Sequence, residues 1–160
     1  MSAVRLFTAV FATLALATGI GASTATAAPG ASAAADPINT FQNRATNECL
    51  DDSFGSGLRT HSCNYGPAQQ WYVHAWGDGT RRLQNVATGR CLSYVGAGVS
   101  FAVGPQTCND SQEQSWYVDR YGDGLAFRNQ ALTKDFCLDD SFEYGLRAVG
   151  CNALGWQKWF

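Results

Sequence analysis

Six cysteines in this chain fall into three pairs, and each pair is followed by a Gln-x-Trp at the same distance. Three segments align by eye: QNRATNECL from Gln42, QNVATGRCL from Gln84 and RNQALTKDFCL from Arg128. Each runs on to a second cysteine and then to Gln69-Gln70-Trp71, Gln114-Ser115-Trp116 or Gln157-Lys158-Trp159, with the cysteine eight residues ahead of its Trp every time. A spacing kept three times predicts one structural unit used three times. The units run 38–79, 80–124 and 125–160, and Gly-Asp-Gly at 77–79 and again at 122–124 punctuates the boundaries.

What precedes the repeats reads as an export signal. A single charge at Arg5 leads into an apolar run from Leu6 to Ile20, and Ala25-Thr26-Ala27 offers the small-x-small pattern cut by signal peptidase. The run is too short and too rich in Ala and Thr for a membrane span. The sequence therefore predicts a signal peptide over 1–27, a low-complexity linker over 28–37 with cleavage as late as 35, and a secreted, extracellular domain over 38–160. In an oxidising compartment six cysteines are disulfides by default. Six allow 15 connectivities, and the repeat selects the one in which each copy holds its own pair: Cys49 with Cys63, Cys91 with Cys108, Cys137 with Cys151. Each bridge closes a loop of about 15 residues, worth roughly 3 kcal/mol in the chain-entropy view.

Composition narrows the function. Without Arg5, ten Lys and Arg face thirteen Asp and Glu, a charge of about −3, so clustered positive charge for nucleic acid is lacking. There is no Cys-x-x-Cys, and only His61 and His74 are available as imidazoles, so no metal or other cofactor is expected. Seventeen glycines, 12% aromatic residues and the lack of long helical patterns favour short strands and turns. The recurring Trp71, Trp116 and Trp159 read as core anchors from three equivalent strands, not as sugar-stacking residues.

A triple Gln-x-Trp with Cys-Leu-Asp early in its units resembles the ricin B-type lectin family, over the whole chain after the export segment. The resemblance implies an all-β fold, a β-trefoil of three four-stranded lobes, each here with one internal disulfide. Within that family the Cys-Leu-Asp spacing looks most like that of a small mannose-binding actinomycete lectin. Comparing CLDDSFGSGLRTHSCN from Cys49 with CLDDSFEYGLRAVGCN from Cys137 gives 11 identities in 16 positions. By the family's pattern, the Asp after Cys-Leu accepts from sugar hydroxyls and the Gln of Gln-x-Trp helps to hold it. Asp51, Phe54, Arg59, His61, Asn64 and Gln69 in copy one are therefore candidate sugar-binding residues, with Asp139, Phe142, Arg147, Asn152 and Gln157 in copy three. A shared solvent-side Asp, Phe and Arg suits a ligand that wants fixed hydrogen-bond partners and an apolar surface. The Asp-Asp-Ser segments also make ordinary turns, and the phenylalanines could simply cover the core.

Copies depart from the family pattern in places. Ser93 stands where copy two should have its Asp, its loop to Cys108 is three residues longer, and Glu113 comes just before Gln-x-Trp. Copy two is read as non-binding. His61 and Val149 occupy a position often aromatic in such sites, and Ala68 and Trp156 replace an Asn that commonly precedes Gln-x-Trp.

Catalysis is not expected. Glycoside hydrolysis needs two carboxylates facing one bond, and neighbours such as Asp51-Asp52 or Asp139-Asp140 on an extended segment point to opposite faces. No Gly-x-Ser-x-Gly elbow is present, and His74, in YVHAW, reads as a strand-end residue. Two functions remain: a secreted lectin with sites in copies one and three, acting by avidity on mannose-type or galactose-type glycans, or a protein-binding trefoil such as a protease inhibitor or toxin-associated subunit. The second would use an unrepeated loop, for which Tyr94 to Gln106 is the longest candidate. Oligomeric state is not legible in the sequence.

Overall fold

A computed structural model describes residues 35–96, 101–132 and 135–160. The segment expected to be a signal peptide, 1–27, and most of the expected linker lie outside these residues. Among them no helix is long and apolar enough to cross a membrane.

Eleven strands follow one another in three sets. The first holds β1 (Ile38–Asn39), β2 (Glu48–Ser53), β3 (Gly57–Ser62) and β4 (Trp71–Ala75). The second holds β5 (Thr80–Asn85), β6 (Cys91–Tyr94), β7 (Val103–Gln106) and β8 (Trp116–Tyr121). The third holds β9 (Gly124–Asn129), β10 (Phe136–Ser141) and β11 (Gly145–Gly150), and Trp159 takes the place of a fourth strand. All pairings between these strands are antiparallel, and three hairpins, β2–β3, β6–β7 and β10–β11, share one register. The chain closes on itself where Trp159 bridges both Asn43 and Leu125, and Gln42 and Phe160 exchange backbone hydrogen bonds. Closure removes the free sheet edges that an open arrangement would present. This is the β-trefoil that the family resemblance implied.

The core is built from equivalent positions. Leu50, Leu92 and Leu138 sit beside their cysteines, Leu83 and Phe127 lie on β5 and β9 with Phe41 just after β1 at the matching place, and Trp71, Trp116 and Trp159 complete the set. A buried indole needs an acceptor for its N–H. Here each Nε1 donates to a leucine carbonyl of its own repeat: Trp71 to Leu50 at 3.0 Å, Trp116 to Leu92 at 3.1 Å and Trp159 to Leu138 at 3.2 Å. The expected disulfides are present, with Cα atoms 5.0–5.1 Å apart.

A further triplet, whose purpose the sequence did not disclose, ties each repeat to its neighbour. Asn43, Asn85 and Asn129 are buried, and their amides donate to Trp156, Ala68 and Glu113 carbonyls of the preceding repeat. The carbonyl of each Asn side chain caps the turn that follows, as Asn85 does for Ala87 and Thr88 N–H. That turn needs a left-handed residue, met by Asn47 (φ 59°) and Gly89 (φ 69°), two residue types that tolerate it.

Candidate functional site

The first and third hairpins present the same device. Asp51 pairs with Arg59 across β2–β3, and Asp139 with Arg147 across β10–β11. In both, the guanidinium Nε donates to the carboxylate Oδ1 at 3.3 Å. The carboxylates are not solvent-side, as the sequence suggested. Only 4% of either side chain is exposed, although each lies on the strand face opposite the core residue Leu50 or Leu138, because the cross-strand arginine covers it. They form floors, and the arginines, 41% and 32% exposed, form rims. Burial pushes the Asp139 carboxyl above its usual range, opposed by the Arg147 charge and by hydrogen bonds from Arg147 and Gln157.

Around Asp139 the floor opens into a cavity of about 390 Å³. Arg147 and Asn152 line it with the aromatic rings of Phe142, Tyr144 and Trp156. Phe142 is 76% exposed and meets Trp156 edge-on, with centroids 5.7 Å apart. Tyr144 stands 4.3 Å beneath the Arg147 guanidinium. The phenylalanines thus do not cover the core; Phe54 too is 77% exposed, with Arg90 at 5.4 Å from its ring. Asn64 and Asn152 spend their side-chain oxygens on the loop, accepting from Gly66 and Leu154 N–H. His61 is exposed on β3, and lobe three has Val149 there.

Gln157 helps to hold the Asp139 carboxylate by a side-chain hydrogen bond, and neither it nor Gln69 reaches the surface to touch a sugar. Both have 0% exposure. The Gln69 amide oxygen accepts from Asn64 and Tyr65 N–H and its nitrogen donates to the Ser62 carbonyl; Gln157 does the same with Asn152 and Gly150. Fully enclosed amides of this kind pin the loop that carries Asn64 or Asn152, including the left-handed Tyr65 and Ala153 that follow.

The sequence missed two walls of the third cavity. Trp156 was visible only as a lost Asn, and Tyr144 as one of the differences between two similar segments, where copy one has Ala68 and Ser56. Lobe one therefore has the same floor with lower walls. In lobe two Ser93 and Gly104 face each other where Asp and Arg stand elsewhere, so the charged pair is missing there. Its long loop ends on Phe101, which stacks on Phe136 at 4.4 Å and accepts from Ala148 N–H, so this end is packed against lobe three.

The second carboxylate of each pair points elsewhere. Asp52 is clasped by Arg90, at 2.6 and 3.1 Å, and by Thr88. Asp140 accepts from Thr46 and Thr60 hydroxyls at 2.6 and 2.9 Å. Adjacent carboxylates with separate partners do not flank one scissile bond, as glycoside hydrolysis would need.

Comparison with known proteins agrees with this geometry. The profile of the ricin-type β-trefoil lectin-like domain family matches residues 34–102 and, overlapping them, 67–142. The chain belongs to this family. No curated protein sequence matches it. Among solved structures, the ricin-type lectin-like trefoil resembles the designed threefold protein ThreeFoil, with TM-score 0.68 and 20% identity over 76% of this chain and 95% of that one. It also resembles the Rhizoctonia solani agglutinin, with TM-score 0.64 and 24% identity over 82% and 96% of the two chains. A third likeness is to a GlcNAcα1-4Gal-releasing endo-β-galactosidase from Clostridium perfringens, with TM-score 0.67 and 16% identity. There the match covers 77% of this chain but only 31% of the enzyme.

Proposed function

We propose that this protein is a secreted, non-catalytic lectin that binds glycans through the Asp–Arg sites of lobes three and one. The observation that carries the reading is the third-lobe cavity. A buried carboxylate, a guanidinium and an amide stand within a ring of three aromatic side chains, which suits the hydroxyls and the apolar face of a pyranose. The repetition of the Asp–Arg pair at 3.3 Å in lobe one supports a second site, weaker because Ala68 and Ser56 replace two of the walls.

Each site alone binds one sugar at about millimolar affinity, near 4 kcal/mol. Two sites on one rigid domain engage a clustered glycan together and gain roughly 10²- to 10⁴-fold in avidity. The agglutinin among its structural neighbours supports carbohydrate as the partner, of mannose type or galactose type. The packed Phe101 end of the long second-lobe loop counts against a protein-binding trefoil that works through that loop.

A broad glycan array probed with the folded, oxidised domain tests the proposal. Binding to a restricted set of neutral glycans is expected, and a blank array would overturn it.

A further inference from the structure

The threefold repeat provides an internal control for every position, and one place breaks it in an informative way. At the turn after β8, Asp123 is neutralised: Arg44 pairs with it directly, and the Lys158 ammonium lies 4.0 Å away. The corresponding turn after β4 carries Asp78. There Gln130 occupies the place of Arg44, and Ser115 the place of Lys158. Both cations have been exchanged for short neutral donors, and the space they would fill is a cavity of about 360 Å³ at the junction of the three lobes.

The lining of that cavity has the chemistry of a ligand site. Trp76 supplies an indole, which is held by the Arg82 guanidinium over its ring at 5.3 Å and by the near-perpendicular His74 ring, with centroids 4.3 Å apart. Asp78 and Asp110 supply carboxylates, and Gln112 and Gln130 supply amides. Asp110 is paired with Arg82 at 3.0 Å. Asp78 is held by the Thr80 hydroxyl at 2.7 Å, by Thr80 N–H at 2.9 Å and by the Gln130 amide at 2.9 Å. These bonds keep its carboxyl below the usual range, the Thr80 hydroxyl acting most strongly, so it is ionised at neutral pH.

We infer that this junction is a further carbohydrate site, unrelated to the Asp–Arg sites, that takes a neutral pyranose against Trp76. One indole face, two carboxylate acceptors and two amides match a polyol with an apolar face. The charge balance sets the class. Two carboxylates stand against one guanidinium, so sialic and uronic acids are disfavoured and neutral sugars are accepted. The inference goes beyond the proposed lobe sites and stands or falls separately from them.

The five tryptophans of the chain provide the assay. Trp71, Trp116 and Trp159 are core, Trp76 lines the junction cavity, and Trp156 lines the third-lobe cavity. Indole N–H resonances are recorded in a titration with methyl mannoside, methyl galactoside, N-acetylglucosamine, xylose and N-acetylneuraminic acid. At least one neutral sugar is expected to shift Trp76 along a saturating curve in the millimolar range, with the acidic sugar without effect.

The variant Ser115→Lys with Gln130→Arg rebuilds the ion pairs of Asp123. It should weaken the Trp76 response at least tenfold and leave any Trp156 response unchanged. Gln112→Ala, at an exposed position, is a milder second variant that should weaken it several-fold. A Trp76 signal that stays fixed with every neutral sugar, or one whose response survives the folded double variant, would overturn the inference. A silent Trp156 beside a responsive Trp76 would instead count against the third-lobe site.

Discussion

Asp52 and Asp140 occupy equivalent positions, yet only one has a cation. Arg90 clasps Asp52, whereas its counterpart facing Asp140 is Glu48. Burial first, and the Glu48 charge after it, push the Asp140 carboxyl above the usual 3.8, against the hydroxyls of Thr46 and Thr60. Glu48→Arg should therefore stabilise the protein at neutral pH. A guanidinium about 4 Å from a carboxylate gains about 4 kcal/mol at an effective dielectric of 20. Ordering the long side chain and desolvating it take back about half or more, leaving about 1–2 kcal/mol. For a domain of this size that is a rise of about 3–6 °C in Tm.

The pH dependence follows from the direction of the shift. A carboxyl with a raised folded pKa contributes stability at low pH, and that contribution is lost as the pH rises through the folded value. An arginine in place of Glu48 lowers the folded pKa, so the gain should be full at pH 7 and much smaller near pH 3, where the acidic medium protonates Asp140 in the parent and begins to do so in the variant. Denaturant titration of parent and variant at the two values reads this directly. A gain that is the same at both, or a loss at pH 7, would refute the pairing of the two junctions.

Two other effects are expected from the same structure. Trp159→Phe orphans the buried Leu138 carbonyl and leaves space in the core, and should cost about 2–4 kcal/mol in equilibrium unfolding. Acidification should act on Asp139 in two opposite directions: its raised carboxyl gains stability as the pH falls, while sugar affinity at lobe three declines once that acceptor is protonated, beginning above the usual carboxylate pKa. Calorimetric binding between pH 7 and pH 4 checks the second effect, and an unchanged affinity would remove Asp139 from the site.

The repeat made the trefoil legible because its determinants are local and recur: a cysteine pair, a Leu and a Trp at fixed spacing place three equivalent hairpins and three core layers. The likeness of copies one and three singled out the same Asp and Arg as members of one site, but not that the two pair with each other. What could not be read was depth and neighbourhood. Asp51 and Asp139 lie on the face opposite the core leucines and are covered by arginines from the neighbouring strand, so their burial escaped the sequence. Gln69 and Gln157 are wholly internal because the loop folds around their amides. The roles of Asn43, Asn85 and Asn129, the clasp of Arg90 on Asp52 and the contact of Trp156 with Phe142 depend on how segments distant in the chain meet. Departures from the repeat carried the most information, since Trp156, Glu48, Ser115 and Gln130 each mark a place where one lobe differs from another.

The lectin reading rests on Asp51 and Asp139, and the double variant Asp51→Ala, Asp139→Ala tests it most directly. Its binding to a glycan-coated surface is measured beside the parent and both single variants, with the fold checked by the dispersion of the three core indole signals. Either single variant should lose most of the avidity, and the folded double variant should not be retained on the surface. A folded double variant that coats the surface as the parent does would mean that the sugar is held elsewhere and that these carboxylates are structural.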